Sequence, residues 1–192
     1  MYLTPLVRKA LDFSALTHRD HLRVGLNVPY IVHPVAVASI VSRYTTDEEV
    51  VAAALLHDVI EDSSDRYSAD TMAVDFGKRV ADFVACVTED KYDASGKVAS
   101  WQDRKASYLH KLSSASKEGR LICVADTIHN IESLLQTIAQ CGNDVLGQFG
   151  AGLDRKIIFY EHILRTIGGS IPNELRERLV SLIEELRVGG RH

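Results

Sequence analysis

The stretch Ala52-Ala53-Ala54-Leu55-Leu56-His57-Asp58-Val59-Ile60-Glu61-Asp62 decides how this chain is read. It starts as a run of small and aliphatic residues suited to the inside of a helix bundle, and it ends in the ionisable groups His57, Asp58, Glu61 and Asp62. Buried polar groups demand partners, so packing alone does not account for that change. Helical spacing sets His57 one turn before Glu61 and Asp58 one turn before Asp62. Two adjacent rows then bring an imidazole and three carboxylates to one small volume. Like charges so close repel unless protons or a cation neutralise them, and a divalent metal is the simplest solution.

Helical periodicity extends outward from this stretch in both directions. Leu3, Leu6, Val7, Ala10 and Leu11 follow it near the start, as do Leu175, Leu179, Leu182 and Leu186 near the end, while strand-like alternation is nearly absent. The pattern predicts an all-α fold, a compact multi-helix bundle of about eight to ten helices. Breaks are expected at 25–29, 44–47, 62–65, 93–96, 141–143 and 168–172. Thr46 or Asp47, ahead of Glu48 and Glu49, marks one helix start, and Pro172 opens a final helix over 172–188. The polar segment 89–100 is expected to be an exposed loop before a helix carrying Trp101 to Lys111. With no linker, repeat or low-complexity tract, residues 1–192 are expected to form one domain.

Composition narrows the function classes. Hydrophobic residues at 46%, charged residues at 25% and four prolines in 192 residues describe an ordinary globular protein. A net charge of −4, with lysine and arginine scattered, gives no footprint for nucleic acid, so phosphate recognition would need a local pocket. Cys86, Cys123 and Cys141 are odd in number and form no C-x-x-C, which points away from a disulfide framework or a thiolate zinc site. Arg8, Lys9 and Asp12 interrupt any secretion signal, and no apolar run approaches a membrane span. A cytoplasmic location, away from membranes, is the expectation.

Two further polar intrusions stand out. Asp126 follows Leu121-Ile122-Cys123-Val124-Ala125, and a lone aspartate among such residues is costly unless a cation compensates it. Asn130 lies one helical turn later and faces the same cavity as a hydrogen-bond donor. His33 stands just before Pro34, a residue suited to the start of a helix. His33, His57, Asp58 and Asp126 make a set of two imidazoles and two carboxylates that suits Mn²⁺, Fe²⁺ or Zn²⁺.

These residues fall in a known order. Arg23, Pro29-Tyr30-Ile31, His33-Pro34, Val37-Ala38, the Leu55–Asp62 block, Phe76-Gly77-Lys78-Arg79-Val80, Ala125-Asp126 and Asn130 together resemble the HD phosphohydrolase superfamily. Within it they are similar to the hydrolase domain of RelA/SpoT homologues and to single-domain small alarmone hydrolases, over about Leu6 to Leu164. The resemblance implies that His33, His57, Asp58 and Asp126 bind one metal ion, Mn²⁺ by preference. It gives Glu61 and Asp62 the task of positioning and activating a water that attacks phosphorus. It sets Arg23 beside the base and Asn130 near the ribose. Arg155 or Lys156 would meet the phosphates, and Phe159 or Tyr160 the nucleotide. The implied reaction is removal of pyrophosphate from the 3′ position of a guanosine or adenosine polyphosphate.

The chain also departs from that family pattern. Val24 and Glu132 stand at often basic positions, and Thr127 follows Asp126 where the long relatives carry a basic residue, which puts guanine over adenine preference in question. No synthetase domain follows before His192, so breakdown and not synthesis is expected. Other readings are a nucleotidase for deoxynucleotides, a phosphatase acting on NADPH, and a non-catalytic nucleotide-binding module, the last disfavoured by the intact set of six residues. His18, His21, His110, His129, His162 and His192 are read as structural or surface residues, with His21 and His129 nearest the pocket. Only His110 lies between Asp58 and Asp126, which disfavours a dinuclear centre. Asp103-Arg104-Lys105 is read as a solvated face, with a phosphate-binding edge as the alternative. The stripe ending at Leu186 is read as core or as a contact in a homo-oligomer.

Overall fold

The computed structural model describes residues 1–63, 66–92, 96–142 and 152–189. Its helices are α1 (Pro5–Thr17), α2 (Val32–Val41), α3 (Glu48–Leu56), α4 (Val59–Asp62), α5 (Ala69–Phe76), α6 (Lys78–Val87), α7 (Trp101–Ser113), α8 (Lys117–Cys141), α9 (Leu153–Ile167) and α10 (Asn173–Gly189), with a 3₁₀ turn at Gly168–Ser170. Among the described residues, extended pairing is confined to isolated bridges between Leu22 and Pro29 and between Tyr92 and Val98. The all-α expectation holds. Among the same residues no helix is long and apolar enough to cross a membrane.

Side chains set the helix starts. Thr4, Asp47, Ser68, Ser100 and Ser116 each accept a first-turn backbone N–H, a contact worth about 1 kcal/mol at such a position. Asp47 is one of the two starts expected from sequence, and α10 begins directly after Pro172.

At the centre lies α3, where every residue from Val50 to Leu56 is buried. A helix apolar on all sides belongs inside a bundle, and α3 packs against α1, α2, α6 and α8. The 25-residue α8, about 37 Å long at 1.5 Å per residue, carries Asp126 at the middle of its buried stripe. Its first turn approaches α6 closely, since a Cβ on Gly119 would meet the Cβ of Cys86 at 3.1 Å. The stripe Leu175, Leu179, Leu182 and Leu186 is core, buried as α10 packs on α8 and α9.

Between α1 and α2 the chain reverses tightly. Arg23 N–H donates to Val28 O and Tyr30 N–H to His21 O, each at 2.9 Å. The reversal needs left-handed backbone at Gly25 (φ 80°) and Asn27 (φ 52°), positions glycine and asparagine tolerate. This clamp sets Tyr30 within reach of Asp58, just after α3, and Arg23 within reach of Asn130 on α8.

Two expectations need correction. The helix through Leu55–Asp62 is not continuous, because α3 ends at Leu56 and α4 begins at Val59 with a turn at His57 and Asp58. Segment 89–100 is not exposed throughout, since Glu89 is buried. Residues 64–65, 93–95 and 143–151, where parts of three expected breaks fall, lie outside the described residues.

Candidate functional site

Three helices deliver the polar intrusions to one point. His33 comes from the first turn of α2, His57 and Asp58 from the turn after α3, and Asp126 from the middle of α8. His33 Nε2 lies 3.1 Å from His57 Nε2, 3.1 Å from Asp126 Oδ1 and 3.4 Å from Asp58 Oδ2. His57 Nε2 lies 3.1 Å from Asp58 Oδ2 and 3.6 Å from Asp126 Oδ1. Donor atoms bound at about 2.1 Å to one tetrahedral ion stand about 3.4 Å apart, so these separations match the edges of a coordination shell.

The tautomers fit the same reading. His57 Nδ1–H donates to the carbonyl of Ala54 at 2.8 Å, which leaves the Nε2 lone pair facing His33. Two ring nitrogens facing each other at 3.1 Å in a buried site need a proton or a cation between them. Burial opposes charge on His57, but Asp58 and Asp126 outweigh it and raise its pKa. Burial likewise opposes ionised Asp58 and Asp126, yet the two imidazoles hold both well below the usual carboxylate range. The site is built to hold two carboxylates ionised against concentrated positive charge.

Around these four residues lies a second layer. Tyr30 OH donates to Asp58 Oδ2 at 2.7 Å, and Asn130 Nδ2 donates to Asp126 Oδ1 at 2.6 Å. Arg23 donates to Asn130 Oδ1 at 3.0 Å, so both residues expected at the nucleotide also brace Asp126. His129 Nδ1 meets His33 Nδ1 at 2.8 Å, and burial lowers its pKa to about 4. His129 is therefore neutral and fixes the His33 ring, as ligand-bracing groups do. Of the other histidines set aside at first, His18 Nδ1 lies 3.6 Å from Asp62 Oδ2, and His21, expected near the pocket, stands beside His18 and outside the cleft lining.

The cluster forms one wall of a cleft of about 410 Å³. Glu61 also lines it, and burial, reinforced by the negative charges of Asp58 and Glu89, pushes its carboxyl up to about 7. The Glu89 backbone N–H donates to Glu61 Oε2 at 3.4 Å. Asp62 is absent from the lining and turns toward His18, its pKa raised by burial and by Asp58. The two carboxylates expected to act side by side therefore face different neighbours, Glu61 the cleft and Asp62 the His18 ring.

Away from the cluster, the cleft is lined by Trp101, Lys105, Lys156 and Phe159. Lys105 pairs with Glu89 and sits 4.6 Å over the Phe159 ring, so the solvated-face reading of this residue is corrected. Trp101, Lys105 and Tyr108 share one face of α7 at helical spacing, a signal the sequence held. Arg155 is exposed and does not line the cleft, whereas Lys156 does. The register of α9 turns Lys156 and Phe159, three residues apart, to the same side.

Residues 10–151 match the protein family described as the HD domain. Guanosine-3′,5′-bis(diphosphate) 3′-pyrophosphohydrolase MESH1 of Xenopus tropicalis is 32% identical over 132 residues, 67% of this chain and 69% of that protein. A GTP pyrophosphokinase of Myxococcus xanthus is 32% identical over the same length, but the matched stretch is only 17% of that longer protein. A solved structure described as a metazoan orthologue of SpoT that hydrolyses ppGpp superposes with a TM-score of 0.76 at 27% identity, covering 96% of this chain and 97% of the other.

Proposed function

Because this chain belongs to the HD-domain family, we propose that it is a metal-dependent 3′-pyrophosphohydrolase of guanosine or adenosine polyphosphate nucleotides. The observation that carries the proposal is the meeting of His33, His57, Asp58 and Asp126 donor atoms at 3.1–3.6 Å in the wall of a cleft that also holds lysines and aromatics. The names of the relatives and of the superposing structure point to the same reaction.

In this reading those four residues hold one Mn²⁺, which when bound lowers the pKa of water and offsets charge on phosphoryl oxygens. Manganese is favoured over Fe²⁺ and Zn²⁺ by the family likeness, since the donor set suits all three. Glu61 accepts a proton from the attacking water as the water oxygen bonds to the phosphorus on the ribose 3′ oxygen. The bond between that phosphorus and O3′ breaks, the ribose oxygen takes up a proton, and pyrophosphate departs. Asp62, whose carboxylate turns toward His18 in this structure, rotates to the cleft to orient the water. Tyr30 and Asn130 keep the Asp58 and Asp126 carboxylates aimed. Lys105 and Lys156 neutralise the phosphates, and Phe159 and Trp101 offer apolar surface to the base.

In the same reading residues 1–192 form one domain, the unpaired spacing of Cys86, Cys123 and Cys141 supports a reducing cytoplasmic setting, and the net charge of −4 supports an enzyme without nucleic-acid partners. The test is incubation of purified protein and Mn²⁺ with a panel of guanosine and adenosine 3′-pyrophosphates, deoxynucleoside monophosphates and NADPH. Turnover of the 3′-pyrophosphates supports the proposal. Robust turnover of the monophosphates or of NADPH, with none of the 3′-pyrophosphates, assigns the chain to a different HD chemistry.

A further inference from the structure

A second group of metal-ligating atoms lies outside the cleft. At the C-terminal end of α1, His18 Nδ1 stands 3.4 Å from His21 Nδ1 and 3.6 Å from Asp62 Oδ2. All three donor atoms lie within 4.8 Å of one another. These separations are long for hydrogen bonds, which cluster at about 2.7–3.2 Å. They match the edges of a coordination shell, about 3.4 Å for ligands at 2.1 Å, and they repeat the spacing of the His33, His57, Asp58 and Asp126 cluster.

We propose that His18, His21 and Asp62 form a second divalent-cation site, of the zinc class, whose occupancy holds Asp62 turned away from the attacking water and slows turnover. Two imidazoles and one carboxylate, with the remaining positions open, make a ligand set that zinc and its neighbours accept. His18 is buried, and its Nε2 has no hydrogen-bond partner among the described residues, so Nδ1 is the edge through which this ring is satisfied. Burial lowers its pKa to about 4 against the pull of Asp58, which leaves a neutral imidazole with a lone pair to give at neutral pH. His21 and Asp62 are partly open to solvent, so an ion has a path in. The Tyr30 ring packs against His18 at 4.8 Å and against His33 at 5.8 Å, and so stands between the two groups of ligands.

The effect on turnover rests on the role proposed above for Asp62, whereas the binding claim does not. His21→Ala separates them, because His21 anchors the Tyr30 loop through its backbone carbonyl, not its ring, and its side chain takes no part in the proposed reaction. Metal-free wild-type and His21→Ala proteins are dialysed against Zn²⁺, and bound metal is counted per chain. The wild type should hold one ion more than the variant. Equal counts overturn the site, whatever their value, so a failure of the main metal cluster lowers both counts and leaves this comparison intact. With substrate, wild-type rates in Mn²⁺ should fall as Zn²⁺ is added, and His21→Ala should resist that fall at least in part. Equal inhibition of both proteins, with unequal counts, overturns the regulatory half alone.

Discussion

The hydroxyl of Tyr30 donates a 2.7 Å hydrogen bond to Asp58 Oδ2, the oxygen that also faces His33 and His57. The bond ties the loop between α1 and α2 to the end of α3, and it fixes one carboxylate of the metal cluster. Tyr30→Phe removes the hydroxyl and keeps the ring that packs against His18 and His33. Loss of such a bracing contact costs about 10–100-fold in metal affinity or activity. Metal titration of the variant should show weaker Mn²⁺ binding with the fold intact, whereas Asp58→Ala should abolish binding. Unchanged Mn²⁺ affinity in Tyr30→Phe would remove the bracing role.

Glu61 and Asp62 should affect the rate and not the retention of the cleft metal. Glu61→Gln keeps shape and removes the base, and losses of this kind run to about 10²–10⁴-fold. Metal analysis and turnover on one preparation check it. A variant that loses its Mn²⁺, or turns over near normally, contradicts the assignment.

The pH profile follows from the same carboxyl. Glu61 must be ionised to accept a proton, and burial with neighbouring negative charge pushes it up to about 7. A bound cation draws it down. The rate should therefore rise with pH along a limb whose midpoint is no higher than about 7, and Glu61→Gln should lack that limb. A wild-type midpoint well above 7 would place the essential proton on another group.

Lys105 pairs with Glu89 and covers the Phe159 ring, a position from which it reaches a phosphate in the cleft. Charge-assisted hydrogen bonds contribute about 1.5–3 kcal/mol, so Lys105→Met should raise KM roughly 10–100-fold with kcat less affected. Steady-state kinetics decide it. An unchanged KM would return Lys105 to a structural partner of Glu89.

Much of the site was legible because its ligands interrupt apolar runs. Asp126 among Ile122 to Ile128, and His57-Asp58 after seven buried residues, are visible where polarity has no packing reason. The bend between Leu56 and Val59 was not legible. Nothing in the local propensities forbids a continuous helix there, and the turn depends on where His33, Asp126 and Tyr30 arrive from distant parts of the chain. For the same reason Glu61 and Asp62, adjacent in sequence, part company in space. The choice of Lys156 over Arg155 hung on the register of α9, which a one-residue shift reverses. His18 gave no motif, and its place beside Asp62 follows from the packing of α1 on α3.

The most direct test of the central claim is the identity of the phosphate product. Guanosine 3′,5′-bis(diphosphate) incubated with the Mn²⁺-loaded protein should yield pyrophosphate and guanosine 5′-diphosphate in equal amounts, and Asp126→Ala should yield neither. Release of orthophosphate from the 3′ end, or persistence of the intact nucleotide with the metal bound, would contradict it.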